Sequence, residues 1–167
     1  LLNRRAALAI QVGEIKKREG TPAFRPEREA QVIDGLKAAN PGPLAAESVA
    51  PIWREIMSAC RALETPLRIA YLGPAGTFSE LAALGYFGSS IVHVPCGSID
   101  EVFRATSGGA ADFGVVPVEN STEGVVARSL DLFLTTPLSI VGETSLYVRH
   151  NLLRKIEGMP GIEAVCA

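Results

Sequence analysis

Arg5 and Lys16 stand eleven positions apart. Eleven residues at 100° each come close to three whole helical turns, so both side chains would leave one side of a helix, about 16 Å apart along its axis. Val12 and Ile15 lie beside them, which sets the two cations next to an apolar stripe rather than opposite it. Arg28 and Glu29 open a second helical pattern, and Cys60 and Glu64 form an i, i+4 pair on a third. Cations and a carboxylate converging inside a helical bundle suit a small dianion. Taken singly, the plainer reading is snorkelling surface cations and an exposed helix end.

Two loops further along form a second group. In GPAGTFS, Gly73 and Gly76 permit a tight turn, while Thr77, Ser79 and a following helix N-terminus offer donors to an anion. The pattern is neither GxGxxG nor a P-loop, so alone it is weak. ENSTEG, from Glu119 to Gly124, is polar; its Asn120 and Ser121 read as well as caps for the next helix as they do as ligands.

The elements that must position these groups change character near residue 65. Before it the period is helical. Leu1, Leu8, Val12 and Ile15 share one side of a first helix, ended by Gly20-Thr21-Pro22. A second begins with Pro26 in its first turn, carries Val32, Ile33 and Leu36, and ends at Asn40-Pro41-Gly42. A third carries the stripe Val49, Ile52, Trp53, Ile56, Met57, Cys60 and Leu63, with Pro51 predicting a start near Ala50 or a kink. Three such helices bury little by themselves, so pairing with a second chain is expected. After Thr65-Pro66-Leu67, strands are predicted at 68–72, 91–95, 112–118 and 138–149, and helices at 78–87, 98–106 and 125–134. Strands alternating with helices on short connections imply an α/β layer around a largely parallel sheet.

The bulk numbers exclude more than they select. Hydrophobic residues at 47% supply a packed core, and a net charge of −2 gives no general pull toward nucleic acid or anionic membrane. Cys60, Cys96 and Cys166 are scattered and odd in number, which argues against a zinc site or disulfide framework and fits a reducing cytoplasm. His93 and His150 are isolated and read as structural. The sequence opens on Leu1-Leu2-Asn3 within a helical pattern and stops at Val165-Cys166-Ala167 as a strand-like run begins, so both ends read as cut.

The runs LLNRRAALAIQVGEIKK, FRPEREAQVI and IWREIMSACRALE resemble the all-helical chorismate mutase family. That resemblance implies a cofactor-free rearrangement of chorismate to prephenate. Arg5 and Arg28 would grip substrate carboxylates, and Lys16 would reach a carboxylate and the ether oxygen. Glu29 would accept from a hydroxyl, and Glu64 would donate to the ether oxygen. A carboxylate cannot donate, so Glu64 would have to be protonated with substrate bound. The sequence departs from the family at Arg25 and Cys60, where other members carry Asp and Ser, and lacks the upstream segment of the first helix, which in the family supplies a further Arg to the partner subunit's site.

RIAYLGPAGTFSELAA, ADFGVVPVENSTEGVV and LSIVGETSLYVRHNLL, in that order, resemble the prephenate dehydratase catalytic domain. The resemblance implies a cleft between two lobes, where Asn120 would help hold prephenate, with Thr77, Ser79, Glu119, Ser121 and Thr122 along the same wall. The acid that assists hydroxyl departure would come from a Thr-Arg-Phe-type motif, which this sequence does not contain. The expected organisation is a clipped helical chorismate mutase module over 1–64, a linker at 65–67, and the first lobe of a type 2 periplasmic-binding-like prephenate dehydratase domain over 68–167. The expected partners are chorismate, prephenate and a second copy through the N-terminal helices, with no metal, nucleic acid or membrane, in the cytoplasm. The competing expectation is a non-catalytic small-anion-binding module with a helical dimerisation segment.

Overall fold

The computed structural model describes residues 1–22 and 24–149; His150, Cys166 and the strand-like run at 165–167 lie outside the described residues. Three helices come first: α1 (Leu2–Glu19), α2 (Pro26–Ala38) and α3 (Ala46–Glu64). α1 stops where Gly20 begins, with Lys16, Lys17 and Arg18 in its last turn, where cations meet the negative end of the helix dipole. α2 has Pro26 at its start and Glu27 and Glu29 in its first turn, the complementary arrangement. α3 starts at Ala46, not Ala50. Pro51 lies in its second turn and deletes only the bond to the Glu47 carbonyl, a local loss that the remaining helix tolerates.

The α1 stripe keeps its predicted period but not its burial. Leu8, Val12 and Ile15 are all at least 45% exposed, and Gly13 is the buried residue of α1. Gly13 is where α3 crosses: a Cβ there would stand 2.7 Å from Cγ and 2.9 Å from Cβ of Glu64. On α3, Val49 and Met57 are buried, as are Ser58 and Arg61, whereas Ile52 and Leu63 face outward.

The second part alternates as expected, with β1 (Arg68–Leu72), α4 (Phe78–Phe87), β2 (Val92–Cys96), α5 (Ile99–Ser107) and β3 (Phe113–Val115). The strands form a parallel sheet in the order β2-β1-β3, with Ile69 opposite both His93 and Phe113. The central strand is covered on both faces. Ile69 and Tyr71 pack with Leu67, Ala83, Phe87 and Phe24, while Ala70 points the other way onto Cys96, Val102 and Ala111. Phe24 comes from the connection between α1 and α2, and its ring stands 5.2 Å from that of Phe87 and 5.4 Å from that of Phe113. One core therefore draws on both parts of the chain.

Two strand expectations need correction. β3 is three residues long rather than the predicted 112–118, because Pro117 has no N–H to continue the ladder. After it the chain makes a small antiparallel hairpin, β4 (Glu119–Asn120) with β5 (Gly124–Val125), and then α6 (Ala127–Thr135). Residues 138–149 are not a strand. Their alternating pattern describes a chain ready to pair, but pairing needs a free sheet edge in register; Val141 instead passes Tyr86, whose hydroxyl donates to its carbonyl at 3.4 Å. Among the described residues no helix is long and apolar enough to cross a membrane.

The helical part meets the sheet part at the C-terminal end of α4. Ser90 N donates to Ser58 Oγ at 3.2 Å, and Ser89 N reaches the Glu55 carboxylate at 3.1 Å. Gly88 has φ +81°, and a Cβ on it would stand 2.4 Å from Ser58 Cβ and 3.3 Å from the Arg54 carbonyl oxygen. Gly88→Ala combines left-handed backbone strain with a clash against the Ser58 side chain. It should destabilise the protein by about 3 kcal/mol, read as a lower urea midpoint with unchanged slope.

Candidate functional site

Lys16 on α1 and Glu64 on the last turn of α3 meet across Gly13. Lys16 Nζ donates to Glu64 Oε2 at 3.4 Å, and the Glu64 side chain is 8% exposed. Arg5 lies on the same helix about three turns before Lys16 but is exposed, its guanidinium 5.1 Å from the centre of the Trp53 ring. Arg28 is exposed too. Glu29 faces inward and is taken by a residue that the sequence reading missed. Arg61, 5% exposed, donates through Nη1 to Glu29 Oε1 and through Nη2 to the Phe87 carbonyl at 2.6 Å, over the face of Phe24 at 4.7 Å. Its signal was a cation three positions from both Ser58 and Glu64, on the packed side of α3.

The electrostatics of this cluster follow from burial. Loss of water pushes the Glu29 carboxyl above its ordinary value, and the charges of Arg61, Arg54 and Lys16 offset that only in part. The same loss of water pulls Arg61 below its ordinary value despite Glu29 and Glu64. Both partners agree that desolvation outweighs attraction, the usual balance for a buried ion pair. Lys16, Glu29, Arg61 and Glu64 thus alternate in sign inside the helical part. Such a set can present both donors and acceptors to one small polyanion.

The second group lies at the C-terminal ends of β1 and β3, which are neighbours in a parallel sheet, so their following loops open on the same edge. Thr77 donates to the Leu72 carbonyl at 2.9 Å and accepts from Glu80 N at 3.4 Å as the cap of α4. Ser79 is half-buried in the first turn. Glu119, Asn120, Ser121 and Thr122 are all exposed on the hairpin, where Asn120 Oδ1 accepts from Thr122 N at 2.8 Å. Asn120 therefore shapes its own turn and does not cap α6, whose N-cap is Val126.

The family described as Prephenate dehydratase matches residues 69–167. The chain belongs to the prephenate dehydratase family. Ahead of this dehydratase region, residues 1–65 match the family described as Chorismate mutase type II. Relatives with the same order are named bifunctional chorismate mutase/prephenate dehydratase. That of Stutzerimonas stutzeri is 51% identical over 92% of this chain and 43% of its own length. That of Aquifex aeolicus is 41% identical over 99% and 47%, and that of Escherichia coli K12 31% identical over 92% and 44%. The chain spans less than half the length of these relatives.

Within the dehydratase region the sequence reading also passed over Glu80. Thr77-x-x-Glu80 is a capping-box spacing that was legible. Glu80 Oε2 accepts from Gly76 N at 2.5 Å, and Oε1 accepts from the Tyr71 hydroxyl at 3.0 Å with His93 Nδ1 at 3.1 Å. Ser98-x-x-Glu101 repeats the device at α5, where Glu101 Oε2 accepts from Gly97 N. The Gly76 N–H, then the Tyr71 hydroxyl, hold the Glu80 carboxyl below its ordinary 4.5. At Asp112 burial pushes upward, but bonds from Arg68 outweigh it and leave that carboxyl below its ordinary 3.8. Lowered carboxyls stabilise the fold above their ordinary values, and the gain is lost as pH falls through the folded values. Stability should therefore drop as pH is lowered past 4.5, and Glu80→Gln should drop less, measured as urea midpoints across acid pH.

Proposed function

We propose that the intact protein rearranges chorismate to prephenate in its helical part, and then converts prephenate to phenylpyruvate at a cleft walled in part by the α/β lobe. These are two consecutive steps toward phenylalanine. The division is residues 1–64 for the mutase module, 65–67 for the linker and 68–167 for the dehydratase lobe. The observation that carries the reading is Lys16 against Glu64, a cation and a carboxyl from different helices, with a glycine backbone at their crossing.

The first reaction is pericyclic, so the protein has to hold a compact substrate conformer and stabilise charge building on the breaking ether oxygen. Lys16 is the residue for that oxygen and a neighbouring carboxylate, with Arg5 and Arg28 for carboxylates, Glu29 for a hydroxyl and Glu64 donating to the ether. The exposed stripe Leu8, Val12 and Ile15 beside Arg5 supports a homodimer through the N-terminal helices, which would cover it. In the lobe, Asn120 holds prephenate, with Thr77, Ser79, Glu119, Ser121 and Thr122 along the same wall. The free thiols Cys60 and Cys96 fit a cytoplasmic enzyme.

The test is to supply chorismate to the intact protein and follow chorismate, prephenate and phenylpyruvate separately. Successive appearance of both products is expected. Binding of chorismate or prephenate without conversion of either would replace this reading with that of a small-anion-binding module.

A further inference from the structure

α4 has one end at each proposed site. Its N-terminal turn carries Thr77 and Ser79 on the β1 loop, and its last residue, Phe87, offers its carbonyl to Arg61. Ten residues at 1.5 Å each make the helix about 15 Å long. The Phe87 carbonyl is among those a helix leaves unpaired at its C-terminus, where a cation also meets the negative end of the dipole. Arg61 thus acts as a cap supplied from outside the lobe. Its other arm holds Glu29. A planar guanidinium with two fixed acceptors and Phe24 beneath it has little freedom to reorient. Glu55 and Ser58 add bonds to Ser89 and Ser90, just past the helix, so the docking does not rest on Arg61 alone.

We propose that Arg61 is a positioning residue for the chorismate site, which fixes Glu29 through the docked lobe and so couples the placement of Glu29 to the C-terminal end of α4. The proposal rests on the mutase reading of Lys16, Glu29 and Glu64. Nothing in Arg61 need touch substrate: one arm sets the carboxylate, and the other takes its own position from the lobe. Coupling of this kind works in both directions, so a change at Glu29 is felt at Phe87.

The test uses the intact protein with Arg61→Lys, which keeps a charge beside Glu29 but has no fork to hold two acceptors. Chorismate kcat/KM should fall by about tenfold or more, since small misplacements of a substrate-holding group are costly. Ser89→Ala, which loosens the same interface away from Arg61, should stay within about twofold of wild type. Amide exchange at residues 84–90 should quicken in Arg61→Lys and also in Glu29→Gln. A purely structural Arg61 would lower the melting temperature of Arg61→Lys and leave kcat and KM unchanged well below it, which would overturn the proposal. So would Glu29→Gln with unchanged exchange at 84–90. If wild type itself does not convert chorismate, the mutase reading is what fails, and the exchange result still decides whether Arg61 links the two parts.

Discussion

On the proposed mutase reading, Lys16→Ala in the intact protein should lower chorismate turnover by about a hundredfold to a thousandfold, the usual cost of removing one donor aimed at developing charge. The cation is partly buried, 29% exposed, and stands 3.4 Å from a carboxyl that is 8% exposed. At such a site a charge acts at much shorter effective screening than on a surface. The loss should fall on kcat more than on KM, because the ether oxygen gains its negative charge only as the bond breaks. Glu64 completes the same result. In the free site it accepts from Lys16; to donate to the ether oxygen it has to take up a proton as substrate enters. Turnover should therefore fall as pH rises, and Glu64→Gln, which donates at any pH, should flatten the profile. Initial rates of chorismate loss across pH for wild type, Lys16→Ala and Glu64→Gln check both statements. A pH-independent wild type would remove Glu64 from the role of donor.

Arg61→Ala should lower the unfolding free energy by about 3 kcal/mol, because it leaves the Glu29 carboxylate without its main partner and uncaps α4. The wild-type pair is a poor source of net stability: burial moves both groups toward their neutral forms. The cost of truncation comes from the orphaned partner. Replacing both, as Arg61→Leu with Glu29→Leu, should recover most of the loss. The pH dependence fixes the cause. A carboxyl raised above its ordinary 4.5 weakens the fold as pH rises through its folded value, and without Arg61 that effect grows. The deficit of Arg61→Ala should therefore shrink as pH is lowered toward 4.5. Urea unfolding of wild type and the two variants at neutral and mildly acid pH measures it. A deficit that did not change with pH would point to lost packing on Phe24 instead.

Much of the local architecture was legible because it is written in short-range chemistry. Pro26 and the acidic first turn of α2, Gly20 after α1 and the alternation after residue 65 each follow from backbone conformation and periodicity. Those terms need no partner. Lengths failed where a partner or its absence decides. β3 ends at Val115, just ahead of Pro117, which has no N–H to offer the ladder, and residues 138–149 have the pattern of a strand but pair with none of the described strands. The α1 stripe shows the same limit: its period is that of an amphipathic helix, yet Leu8, Val12 and Ile15 remain open. Periodicity says which side is apolar, not what covers it.

The sites divide in the same way. Periodicity determined a helical first part and an alternating α/β second part, the resemblance of whole runs pointed to the chorismate mutase and prephenate dehydratase families, and spacing put Lys16 and Glu64 on their helices and Thr77 at the start of α4. Only the tertiary structure decided that Gly13 lets Glu64 reach Lys16, that Glu29 belongs to Arg61, and that Arg61 also holds α4. The physical reason is distance along the chain. Caps and turns act over three or four residues, whereas Arg61 reaches acceptors 32 and 26 positions away, brought to it by the shared packing around Phe24.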